Sequence, residues 1–144
     1  MPLTPTSSRS SDRETRAIYG KADALWARWS CPSTASCCQL KLTQRQPWLW
    51  PSEWRVLTGA RLVPASRKDG ACPYLDGKGR CSRYADRPLG CRTFFCLRVT
   101  GPERHPAREM NDLLERLARV NLAEDETAEP RPLLELHASE SRAA

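Results

Sequence analysis

The sequence predicts an α+β, mainly α fold: a small irregular domain with little strand and a flanking helix at each end. Three observations carry this expectation. Apolar residues gather around Ile18 to Trp29, Leu40 to Val63 and Leu113 to Leu122; the outer two stretches have helical spacing; and the segment between the last two is polar, turn-rich and rich in cysteine. At 144 residues the chain has the common size of a single domain. The expected organisation is a disordered tail over residues 1–10, one domain over 11–122, and an acidic tail over 123–144 that stays mobile or docks back through Leu133, Leu134 and Leu136.

The first helix is expected from about Asp12 to Trp29. Ser11-Asp12-Arg13-Glu14 has capping-box spacing, and Ile18, Ala22, Leu25 and Trp29 then fall on one helical face. This helix delivers the chain to Cys31, where Cys-Pro-Ser-Thr-Ala-Ser-Cys-Cys suits a tight loop. Gln39 to Thr43 alternates polar and apolar residues and reads as a short strand. Pro51, Ser52 and Glu53 read as a helix start, giving a short helix near 51–60. The surrounding Trp48, Trp50 and Trp54 are expected to shield the cysteine-rich segment rather than to stack on bases.

Further on, Arg67-Lys68-Asp69-Gly70 and Asp76-Gly77-Lys78-Gly79 are turns. The second lies between Cys72 and Cys81 and predicts a hairpin-like loop with a cysteine at each base. Gly90 allows close backbone approach beside Cys91, and Phe94 and Phe95 precede Cys96. Pro106 opens the last helix, with Met110, Leu113, Leu114 and Leu117 as its apolar stripe and Asp112/Arg116 and Glu115/Arg119 at i, i+4 spacing.

Seven cysteines in a segment with few apolar residues call for a staple, either disulfides or a metal. The N-terminus has no apolar core of a signal peptide, and no stretch approaches the ~20 apolar residues that span a bilayer. The expected setting is therefore cytoplasmic, without a membrane partner. Disulfides rarely persist there and an odd number of cysteines cannot pair completely, so metal ligation is the better explanation. The expected ligands are Cys31, Cys37, Cys38, Cys72, Cys81, Cys91 and Cys96. Cys72, Cys81, Cys91 and Cys96 can complete one tetrahedral site from the second half alone. The neighbours Cys37 and Cys38 point apart on any regular element, so they serve two ions, a multinuclear iron–sulfur centre, or one ion from an irregular loop. Spacing alone does not separate zinc from iron.

These segments, from Cys31-Pro-Ser-Thr-Ala-Ser-Cys-Cys through Cys72-Pro-Tyr-Leu and Cys81-Ser-Arg-Tyr to Arg87-Pro-Leu-Gly-Cys-Arg-Thr-Phe-Phe-Cys96, resemble the YkgJ-type cysteine-cluster family over roughly residues 28–97. The resemblance implies a bacterial zinc- or iron-chelating domain; a related cluster occurs in flagellin lysine methylases. It also implies a ligand at position 34, where this chain has Thr34. The vacated position is then open, held by water, or taken by another group such as His105 or an Asp, and Cys31 becomes the least firmly assigned ligand.

The net charge of +6 points weakly to an acidic partner, because the count treats every thiol as neutral whereas a four-thiolate zinc site carries about −2. The arginines are scattered, and nucleic acid is not expected as a partner. Arg87 and Arg92 read as hydrogen-bond donors to thiolates, with an ion pair to Asp86 as the alternative. His105 and His137 read as surface residues. Catalytic motifs are missing: there is no phosphate loop, no nucleophilic triad and no Cys-x-x-x-Cys-x-x-Cys run. The expected function is metal holding, ahead of an iron–sulfur redox or methyl-transfer component and a zinc-stapled nucleic-acid binder. No protein partner can be read from the residues.

Overall fold

A computed structural model describes residues 5–28, 46–59, 63–92 and 106–143. Helix α1 spans Pro5–Leu25, strand β1 Trp48–Leu49, helix α2 Pro51–Thr58, a short 3-10 turn Tyr84–Asp86, helix α3 Leu89–Arg92, helix α4 Ala107–Glu124, strand β2 Arg131–Pro132 and helix α5 Leu133–Ala143. The fold is mainly helical with one small two-stranded antiparallel sheet, as the α+β, mainly α expectation has it. In that sheet Trp48 faces Pro132 and Leu49 faces Arg131.

Helix α1 starts at Pro5, inside the stretch read as a tail, so Ser11 is an interior residue and not an N-cap. Its hydroxyl is used between helices instead, donating to Glu124 at 3.2 Å and accepting from Arg55 at 2.8 Å. The buried face runs through Thr15, Ile18, Tyr19 and Ala22, with Leu25 and Trp26 partly covered. The apolar members pack on Val56 of α2, Leu89 of α3, and Met110, Leu113 and Leu117 of α4. Leu114, placed by sequence on the α4 stripe, is exposed, because one residue past Leu113 turns it about 100° away from the core. Arg116 likewise leaves the expected Asp112 pairing and reaches Glu14 across to α1, at 3.4 Å.

A buried polar thread joins α1, α2 and α4. Thr15 donates to the Ser52 hydroxyl at 2.8 Å, and Asn121 accepts from the Ser52 backbone N–H at 2.9 Å while donating to the Ser52 hydroxyl and the Leu117 carbonyl. Asn121 thereby satisfies one of the amides that the first turn of α2 leaves without an intrahelical partner.

The second apolar cluster lies beside the sheet: Leu49, Trp54, Leu57, Ala71, Cys72, Tyr74, Leu75 and Leu133, with Cys81 and Leu136 packed against it. The cysteine-bearing hairpin therefore has an apolar core, supplied by residues far away in sequence. Residues 131–143, read as a tail that docks or stays mobile, dock: Leu133 N–H donates to the Pro47 carbonyl, Leu134 N–H to Gln46, and Trp54 to Glu140. His137, read as a surface residue, is buried, with Nε2 hydrogen-bonded to the Pro64 carbonyl at 2.6 Å. Among the tryptophans Trp54 covers the hairpin as expected, Trp50 is partly buried against the helical cluster, and Trp48 is exposed. The expected strand 39–43 lies outside the described residues.

Candidate metal centre

Cys72 and Cys81 sit at the two ends of a hairpin built as the turn residues predict. Asp76 accepts from the backbone N–H groups of Lys78 and Arg80 at 2.8 and 2.9 Å, which closes the loop on a short side chain. Gly79 supplies the positive φ of 77° that the reversal needs. Beyond the turn Leu75 pairs with Cys81, and the Ser82 N–H donates to the Tyr74 carbonyl. Cys72 lies one turn before this ladder, its carbonyl accepting from Leu75 N–H at 3.0 Å. Arg67 fastens the assembly by donating to the Leu75 carbonyl and, through two nitrogens, to Asp69. The Cys72 side is buried and Cys81 half-buried, both against the cluster that contains Trp54 and Leu133.

Cys91 stands beside the other cluster without being a member of it, near Tyr19. It lies half-buried on the four-residue helix α3, whose leading residue Leu89 is buried among Ile18, Val56 and Met110. Each member of Arg87-Pro88-Leu89-Gly90-Cys91-Arg92 has a structural task. Arg87 stacks over the Tyr84 ring at 3.8 Å and bonds the Tyr84 carbonyl. The Pro88 carbonyl accepts from Cys91 and Arg92. A Cβ on Gly90 would meet the Pro47 Cβ at 3.2 Å, so the helix packs closely there because this residue has no side chain. Arg92, only 4% exposed at its side chain, donates to Asp23 and to the carbonyls of Arg87 and Ala85, all at 2.6–2.7 Å, and stacks over the Tyr19 ring at 4.3 Å. Asp86, the alternative partner read from sequence, pairs with Arg16 at 3.1 Å. The two arginines thus build the turn through carbonyls, a carboxylate and rings.

Glu53 is the functional-looking residue that sequence spacing does not single out beyond a helix start. It is 1% exposed; its Oε1 accepts from the Trp50 N–H at 3.1 Å, and its Oε2 from the Leu89 N–H at 2.7 Å and the Tyr19 hydroxyl at 2.9 Å. Burial pushes its carboxyl above the ordinary range, against the opposing pull of those three hydrogen bonds and of Arg92. Tyr19 is likewise driven well above its usual value, chiefly by burial and then by the Glu53 carboxylate; Arg92 works the other way, and Cys91 adds a smaller upward push.

Cys31, Thr34, Cys37, Cys38, Cys96 and His105 lie outside the described residues. Among the described residues no three His, Cys, Asp or Glu side chains are gathered so as to hold an ion. Cys72, Cys81 and Cys91 are therefore not assembled as a three-ligand group: the first two lie with the cluster beside the sheet, and Cys91 follows Leu89, a member of the helical cluster, on α3. The donors themselves are thiols, the ligands that zinc and iron–sulfur centres take, so their chemistry fits either metal.

The family model CxxCxxCC, described as "Putative zinc- or iron-chelating domain", matches residues 30–112, more than half of the chain. The chain belongs to this family. The CxxCxxCC match begins after α1 and ends within α4, so its cysteine-bearing middle is clamped here by elements that lie partly or wholly outside it. It supports chelation of zinc or iron by this CxxCxxCC protein. No curated protein and no solved structure matches the chain. No helix among the described residues is long and apolar enough to cross a membrane.

Proposed function

We propose that this CxxCxxCC domain holds zinc or iron through the thiolates of Cys31, Cys37, Cys38, Cys72, Cys81, Cys91 and Cys96, in a cytoplasmic setting, and that the bound metal joins two separately packed parts of the chain. The observation that carries this reading is the division of the described thiols. Cys72 and Cys81 flank one hairpin in the cluster beside the sheet, whereas Cys91 sits on a short helix that Leu89 anchors in the helical cluster. Adjacent cysteines such as Cys37 and Cys38 are suited to serve two such donor groups at once, because neighbouring side chains diverge. Thr34 stands where the resemblance places a further thiolate, and a neutral hydroxyl is a poor substitute on either metal. The centre is accordingly one ligand short.

The test is metal and sulfide analysis of protein purified without oxygen, alongside Cys72→Ser, Cys91→Ser and Thr34→Cys. A colourless protein with stoichiometric zinc assigns a structural centre. A brown protein with iron and sulfide assigns an iron–sulfur centre and opens the redox role. Both serine variants are expected to lower metal content, and Thr34→Cys to raise affinity or stoichiometry. Wild-type protein without stoichiometric metal, or serine variants that retain all of it, would overturn the reading.

A further inference from the structure

We propose that Glu53 is a positioning residue for the Cys91 thiolate: its buried carboxylate fixes the short helix that presents this ligand. The inference rests on the reading of Cys91 as a metal ligand and adds to it a residue that no cysteine motif contains. A helix of four residues has almost no stability of its own, since the costly first turn is never followed by propagation. Its placement must come from outside. Glu53 supplies the fastening at the leading end, where Oε2 accepts the Leu89 N–H at 2.7 Å, two residues before Cys91.

The same oxygen accepts the Tyr19 hydroxyl, and the Tyr19 ring carries the Arg92 guanidinium on its face, immediately after Cys91. Glu53 therefore holds Leu89 directly and Arg92 by way of the Tyr19 ring, one residue before and one after the Gly90–Cys91 pair, and Gly90 seats the backbone on Pro47. A neutral or apolar side chain would be less costly to bury than this carboxylate. A charged acceptor gives the shorter and stronger bonds to backbone N–H groups, which is what holding a ligand turn requires. Partners of this kind, one step removed from the metal, typically change affinity by ~10–100-fold when removed.

The experiment uses the full chain, prepared metal-free under reducing conditions and titrated with Co(II). The thiolate-to-cobalt charge-transfer band reports the ligands, and competition with a chromophoric chelator reports the affinity. Glu53→Leu is expected to weaken Co(II) binding by about tenfold or more and to diminish the band. Glu53→Gln, which keeps an oxygen for Leu89 but loses the charge, is expected to fall between Glu53→Leu and wild type in both. Asn121→Ala, a lesion in the polar thread away from Cys91, is expected to lower thermal stability while leaving the cobalt spectrum unchanged. Should Glu53→Leu fail to fold, Glu53→Asp decides: the shorter side chain draws the acceptor back from Leu89, and wild-type affinity in that variant would sink the proposal. If Cys91→Ser removes the band and Glu53→Leu behaves like Asn121→Ala, the positioning role alone is overturned. If Cys91→Ser leaves the band and the affinity intact, the ligand reading fails and the positioning role with it.

Discussion

Arg67 shows at the scale of one residue how the hairpin that carries Cys72 and Cys81 is steadied from its rim. Two of its nitrogens hold Asp69 and a third bonds the Leu75 carbonyl, while Asp69 also accepts from the Ala71 N–H. The Arg67 hydrogen bond, followed by that of Ala71, lowers the Asp69 carboxyl from its ordinary 3.8 to about 2. A carboxyl whose pKa is depressed in the folded state stabilises the fold above its unfolded value, and that contribution disappears as pH falls from about 3.8 through about 2. Asp69→Asn should therefore melt below wild type at pH 6, with the difference shrinking as pH drops below about 4 and mostly lost by about pH 2. Because the side chain is solvent-exposed, the difference should also shrink with added salt. Thermal melts at pH 6, 4 and 2, with and without salt, check both expectations, and a difference as large at pH 2 as at pH 6 would exclude the carboxylate as its cause.

Helix α5 is the element whose role is least apparent from its composition. Its first residue, Leu133, is 2% exposed and belongs to the same cluster as Cys72, Tyr74 and Leu75; Leu136 and His137 lie one turn further on. The pairing of β1 with β2 sets where α5 begins, so the C-terminal segment covers the hairpin from outside the cysteine-bearing stretch. Leu133→Ala removes a buried side chain from this seam and should cost about 2–4 kcal/mol. The same substitution should speed alkylation of Cys72 in metal-free protein by loosening its cover. Denaturant unfolding and mass-spectrometric labelling measure the two effects. Unchanged Cys72 labelling in a destabilised Leu133→Ala variant would show that α5 does not govern access to the hairpin.

At the scale of the whole molecule the two apolar clusters should respond differently to metal. The cluster of Ile18, Tyr19, Ala22, Val56, Leu89, Met110, Leu113 and Leu117 contains no cysteine, and the Thr15–Ser52–Asn121 thread joins its long helices without one. The cluster beside the sheet contains Cys72 and packs on Cys81. Removing the metal should accordingly leave most of the far-UV helical signal while amide protection falls over residues 72–82. Hydrogen exchange followed by mass spectrometry, with and without a chelator, distinguishes the regions. A single cooperative loss of helix on chelation would show instead that the metal supports the entire fold.

The sequence by itself determined the elements whose causes are local. The Ile18 and Ala22 spacing of α1, the Pro51–Glu53 start of α2, the Pro106 start of α4 and the Asp76 to Gly79 reversal each follow from periodicity, capping or turn chemistry, and the structure has all four. The cysteine motifs likewise identified the family. Only the tertiary structure decided what these elements are set against. That Ser11 is a mid-helix bridge, that Leu114 faces water, that His137 is buried, and that Glu53 reaches Leu89 all depend on partners between 36 and 113 residues away or on the precise face a neighbour covers. The middle segment looks poor in core for the same reason. Its apolar company, Leu49, Trp54 and Leu133, arrives from both sides of it in the chain, and no local pattern records a contact that forms only when distant segments pack together.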